Sequence, residues 1–350
     1  MESEETNLLE LEDKVKLQVE KSCSQENVNI RQRKIFPKAI NPKIEELKYQ
    51  IKKNLLGCDL TICIFIAALK SYKADGCLRP FPHYFLTATN EKDFISLKEA
   101  CDKIPPLKDF LTLPANNIPN DVINLLTWLF FESGFPVLTP YPLKELPVSI
   151  NKDDNSNSTI PQFVFKVNFT KRLDESWRKK VAEKDVFYAF HGSSISNFYS
   201  ILRFGLQTHF SVSKEVLFGM GIYLSDEISV STNYAPFGET WKNSILGSKH
   251  SIIAVSGIIN DQEEVKCRDK ANKERSMNQN SFDEIPEKYF VVKNSELVRV
   301  EYILVYRSRA PSAVKSFIKA NFLWIVIILY FLLLVFIGFR NGPYYRKLFK

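Results

Sequence analysis

Polar and charged positions dominate the first 43 residues, so the stretch reads as a disordered or partly helical arm. From Pro42 the pattern changes. Ile44, Leu47, Ile51 and Leu55, then Leu60, Ile64, Ala67 and Ala68, recur at three- and four-residue spacing, which predicts amphipathic helices with an apolar stripe. Two further stretches of this kind, Asp93 to Cys101 and Asp121 to Phe131, each open on an acidic residue suited to a helix N-terminus. Prolines at 80, 82, 105, 106, 114 and 119 punctuate them. Residues 44–150 therefore read as a helical domain followed by a Pro-rich connector.

Past a polar loop at 151–159 the period shortens to two. FVFKVNF (163–169), VFYAFHG (186–192), GIYLS (221–225), SIIAVSGII (251–259), YFVVKN (289–294) and VRVEYILVY (298–306) are β-branched and aromatic, as strands require. Only two stretches between them read as helix. One is SISNFYSILRFG (194–205), with Ser194 as N-cap and Gly205 just past its end; the other is the shorter EISVSTNYA (227–235). The charged, apolar-poor run 268–284 reads as a surface loop. Many strands with few helices predict an α+β domain of antiparallel sheets over 151–308.

Residues 320–339 carry no charge in 20 positions, about 30 Å of helix, which matches the hydrocarbon thickness of a bilayer. They read as a single C-terminal transmembrane helix, with a linker at 309–319 before it and a tail at 340–350 after it. The N-terminus has neither a basic n-region nor an apolar core, so it is not a signal peptide. The expectation is a tail-anchored protein inserted after synthesis, with residues 1–319 in the reducing cytosol and the tail across the membrane.

Composition narrows the function classes. A chain of 350 residues, 45% hydrophobic and with 27 Phe, suits about two globular domains. Six irregularly spaced cysteines, no C-x-x-C and four scattered histidines argue against a disulfide scaffold and a zinc site, so no metal is expected. Four of the seven net positive charges fall in the last eleven residues, and no basic run is interleaved with aromatics. No specific nucleic-acid partner is expected.

No single motif carries chemistry alone. Gly219-Met220-Gly221 leads into a strand, so it lacks the helix N-terminus that cradles phosphate. The informative feature is an order: FHGS at 190–193, GMGIYLS at 219–225, NYA at 233–235, KYFVV at 288–292 and RVEYILVY at 299–306. In that order the chain resembles the catalytic domain of the poly(ADP-ribose) polymerase family, the diphtheria-toxin-like ADP-ribosyltransferases, over about residues 185–308. With its helical region, notably SYKADGCLRPFP at 71–82, and its anchor it looks most like the tail-anchored endoplasmic-reticulum member, a mono-ADP-ribosyltransferase.

The resemblance implies a split antiparallel β-sheet clasping NAD⁺ as co-substrate. It implies a catalytic triad of His191, Tyr223 and Tyr289, with His191 bonding a ribose hydroxyl. Cofactor binding falls to His191, Gly192, Ser193, Tyr223, Ser231 and Tyr234: Gly192 and Ser231 for the nicotinamide carboxamide, Tyr234 stacked on the ring. Polymerising members carry Glu at the third position. Tyr289 there offers one neutral hydrogen bond, so single transfer to protein acceptors, the chain itself included, is expected in place of elongation. A catalytically weak NAD-binding scaffold at the endoplasmic-reticulum membrane stays open as the alternative.

Overall fold

The computed structural model describes residues 42–150, 160–208, 219–267, 288–308 and 320–341. The arm up to residue 41, the loops at 151–159 and 268–284, the linker at 309–319 and the tail beyond Asn341 lie outside the described residues.

Helices α1 (Pro42–Lys53) and α2 (Leu55–Leu69) are separated by Asn54. The Asn54 side chain accepts from the Gly57 amide and donates to the Leu138 carbonyl at 2.7 Å, which caps α2 and ties it to a distant strand. The spacing predicted one apolar stripe on α2; instead 12 of its 15 residues are buried. Its remaining faces carry Cys, Ala and Thr, small enough to be covered from every side, and a helix apolar all round belongs inside. Short helices α3 (Ala74–Cys77), α4 (Phe94–Asp102), α5 (Leu107–Thr112) and α6 (Asn120–Thr127) complete the region. Asp93 caps α4 as expected, accepting from the Ser96 amide at 2.9 Å. The expected helix to Phe131 is α6 continued as a π turn, Trp128–Glu132.

Among the described residues nine antiparallel strands follow: β1 (Val137–Pro140), β2 (Phe163–Asn168), β3 (Val186–Ser193), β4 (Ile222–Ser225), β5 (Gly238–Glu239), β6 (Lys249–Ile259), β7 (Val265–Lys266), β8 (Tyr289–Val292) and β9 (Val298–Arg307). Their order is β1-β2-β9-β6-β3-β4-β8-β7, with β5 beside β6. The connector supplies the edge strand β1, where Pro140 needs no ladder donor. In the sheet region, helix α7 (Lys171–Val181) was not legible. It buries only Trp177, so it shows no stripe, and its surface is laced by pairs such as Lys171–Glu175 and Asp174–Arg178. Helix α8 (Phe198–Phe204) starts later than expected: Ser194 makes no side-chain cap, and a 3₁₀ turn at Ile195–Asn197 precedes it. Gly205, at φ +84°, ends it in the left-handed region as the sequence suggested. Helix α9 (Ile228–Thr232) lies against β3 and β4.

The helical region and the sheet are tied together by polar contacts. The fully buried Asp59 of α2 accepts from the Ser244 hydroxyl and from the Ile245 amide at 3.0 Å. Lys70 donates to the Thr240 carbonyl at 3.0 Å and Asn243 to the Ile104 carbonyl at 2.9 Å. The loop between α9 and β6 is thus pinned at three points by helical residues.

The last helix, α10 (Phe322–Asn341), exposes nearly every side chain described on it, which are those up to Gly338. Among the described residues, no helix is long and apolar enough to cross a membrane.

Burial pushes the Asp59 carboxyl up to about 6, against the lowering effect of its hydrogen bonds to Ser244 and Ile245. Its folded-state value lies above its unfolded one, so the native state holds the proton longer, and stability falls as pH rises between about 4 and 6. Urea midpoints of the parent chain and Asp59→Asn, compared across that window, should differ by this slope and run parallel above it. Identical slopes would mean that Asp59 does not titrate there.

Candidate active site

The sheet is two half-sheets joined at one seam. β3 and β6 pair at eight positions and β4 and β8 at four, but β3 and β4 meet at a single one, Phe190↔Ser225. Beyond it the strands diverge, and His191 bridges the gap. Its Nδ1 lies 2.9 Å from the Tyr223 carbonyl oxygen. A carbonyl can only accept, so Nδ1 carries the hydrogen and Nε2 is left with a lone pair. Burial holds the imidazole below its ordinary value, partly offset by the bond to Tyr223, so the ring is neutral at neutral pH.

Gly192, next in β3, touches α9. A Cβ there would sit 1.8 Å from the Ser231 carbonyl oxygen and 3.2 Å from Tyr234 Cβ. Only glycine lets the strand and helix approach so closely. That approach brings Ser231, itself buried, and Tyr234, 60% exposed, to the backbone of the His-Gly pair.

Tyr223 pairs with Val291 and Tyr289 with Ser225, so the two tyrosines project from one face of the β4–β8 ladder. The Tyr223 hydroxyl donates to the Gly219 carbonyl at 2.7 Å. Burial raises the Tyr289 phenol, and a hydrogen bond with Tyr234 raises it further, so it stays protonated at neutral pH. The Tyr234–Tyr289 contact links the α9 end of the site to the β8 edge.

All seven residues expected from the sequence therefore gather along the seam: His191 on Tyr223, Gly192 on Ser231 and Tyr234, Tyr234 on Tyr289. Ser193 is held differently, as its Oγ accepts from Asn197 Nδ2 at 2.9 Å. Three supporting groups were not read from the sequence. Asn197 is one; its signal was a position four residues beyond Ser193 at a helix start. Ser225 donates to the Lys288 carbonyl at 2.7 Å, beside Tyr289, and Lys288 pairs with Glu227 at 2.7 Å, fastening β8 to the start of α9. Neither carries a sequence signal, since the partners lie about 60 residues apart.

Residues 147–246 match the model of the poly(ADP-ribose) polymerase catalytic domain, and residues 49–130 match the ARTD15 N-terminal domain. The chain is similar to the protein mono-ADP-ribosyltransferase PARP16 of Homo sapiens, at 32% identity over 84% of this chain and 93% of the relative. It is similar to the Mus musculus PARP16 at 31% identity with the same coverage. Tyr289 lies past the end of the catalytic-domain match.

Replacing Gly192 by Ala forces α9 off β3. Gly192→Ala should cost roughly 1–3 kcal/mol in urea unfolding, the usual penalty for overpacking. Gly76→Ala, where a Cβ meets nothing within 4 Å, should cost nothing. Equal midpoints for the two variants would refute the close approach.

Proposed function

Because the chain belongs to the poly(ADP-ribose) polymerase family and is a protein mono-ADP-ribosyltransferase that draws on NAD⁺, we propose that the seam between β3 and β4 is where NAD⁺ is held and cleaved. The observation that carries this reading is the fixed tautomer of His191. With Nδ1–H committed to Tyr223, Nε2 accepts a hydrogen bond from a ribose hydroxyl and orients the sugar. The Gly192 backbone and the Ser231 hydroxyl hold the nicotinamide carboxamide, the Tyr234 ring stacks on the nicotinamide, and Ser193 and Tyr223 add polar contacts.

The reaction breaks the bond between the ribose C1′ and the nicotinamide nitrogen. The electron pair leaves with neutral nicotinamide, C1′ takes on cationic character, and a lone pair on the acceptor side chain bonds to it, with loss of a proton where the attacking atom carries one. Tyr289, protonated and uncharged, supplies no carboxylate to stabilise that cation or to orient a second ribose hydroxyl as acceptor. Positioning carries the barrier, and one unit is transferred. Residues 151–308 form the catalytic domain and 44–150 the helical domain.

The uncharged stretch at 320–339, flanked by Lys315, Lys319 and Arg340, anchors the protein in the endoplasmic-reticulum membrane with the catalytic domain in the cytosol. The exposed apolar side chains from Phe322 to Ile337 support this, because such a surface needs a non-aqueous partner.

His191→Ala should lower automodification from labelled NAD⁺ by roughly a hundredfold, the loss typical of one preorganised polar contact at a charge-developing centre, in protein that still folds but unfolds at lower urea because the bond across the seam is gone. In the parent chain, protonation of His191 turns Nε2 from acceptor to donor. Its folded value lies below the usual 6.5, so kcat/KM for NAD⁺ should stay flat down to that pH and fall only below it. An acid-limb inflection above 6.5 would contradict a buried neutral His191. Removing 320–350 should move activity from the membrane to the soluble fraction, and Asn157 and Asn168 of the full chain should carry no glycan despite their sequons. Glycosylation of either would reverse the orientation.

A further inference from the structure

We propose that Cys77, in the helical region, is a positioning residue for NAD⁺ that acts through Asn197 on Ser193. This rests on the reading of Ser193 as a cofactor contact. The Cys77 thiol is buried at 6% exposure, and its Sγ lies 3.4 Å from Asn197 Oδ1. The thiol also faces Ser71 Oγ as an acceptor, but that oxygen is farther away, at 3.8 Å, and already accepts from the Lys73 amide at 3.2 Å, so the shorter contact takes the hydrogen. The thiol hydrogen is therefore given to Asn197.

That bond decides which way the Asn197 amide faces. With Oδ1 turned to the thiol, Nδ2 faces Ser193 and donates to its Oγ at 2.9 Å. Were the amide reversed, its NH₂ would face the thiol and its oxygen would draw the Ser193 hydroxyl hydrogen to itself. As built, the Ser193 lone pair is taken and its own hydrogen is free to point into the site. Ser193 is thereby fixed as a donor, suited to the hydroxyl, carbonyl and phosphate oxygens of a dinucleotide. A side chain 120 residues from Asn197 along the sequence thus sets the polarity of a group two positions from His191.

The signature is a change in KM without a change in kcat, because Cys77 touches no reacting atom. In the full-length protein, Cys77→Ala should raise the KM for NAD⁺ about two- to tenfold, the span expected for one net hydrogen bond. Cys77→Ser, which keeps a donor in place, should recover most of that loss. The decisive measurement is the double-mutant cycle with Asn197→Ala. If the thiol acts through Asn197, Cys77→Ala has no further effect on KM in the Asn197→Ala background. A full additional loss there, or failure of Cys77→Ser to do better than Cys77→Ala, overturns the relay and leaves only packing at Cys77. Ser193→Ala separates the two readings. A raised KM in Ser193→Ala with a parental KM in Cys77→Ala sinks the relay and keeps the cofactor contact. Parental KM values in both variants sink the cofactor contact and the relay together. Unfolding midpoints within error of one another keep the comparison to folded protein.

Discussion

One hydrogen bond across the seam governs this molecule. β3 and β4 share a single register pair, so the sheet does not continue there by backbone bonding alone, and the His191 imidazole takes over from the ladder. The bond does three things at once. It joins the half-sheets, it fixes the histidine tautomer, and it keeps the strands apart by the width of a side chain. The polar chemistry of the site follows from a shortage of backbone pairing.

The rest of the site is arranged around this gap by close approach. The missing side chain of Gly192 admits α9, which carries Ser231 and Tyr234 to the seam, and Tyr234 reaches across to Tyr289. The loop that follows α9 is then held by Asp59, Lys70 and the Ile104 carbonyl of the helical region. The helical part therefore does not hang beside the catalytic sheet. It supports the segment that returns from the site to the central strand β6, which pairs with β3 on one side and β9 on the other.

Strands with alternating or continuous β-branched and aromatic residues were legible because burial of one or both sheet faces imposes that pattern directly; β3, β6, β8 and β9 fall within a residue or two of where the sequence put them. Helix α7 was missed because charge pairs, not an apolar stripe, hold it, and α2 was misread because three- and four-residue spacing marks one face and is silent about the others. β1 was hidden by its proline, tolerated only because the strand is an edge. The residues that gather at the seam were picked out by an ordered set of short motifs. The supporting Asn197 and the Glu227–Lys288 pair were not, because nothing in the sequence says which distant residues share a corner of the fold.

The seam also has a bearing on motion. Cooperative unfolding units follow continuous ladders, and here β3 and β4 share only the Phe190–Ser225 pair. The β4-β8-β7 half, with few pairs of its own, can open while β2-β9-β6-β3 stays closed, so amide protons on the two sides of His191 belong to separate exchange classes. Anything that bridges the gap would fuse those classes and slow exchange in the smaller half more than in the larger.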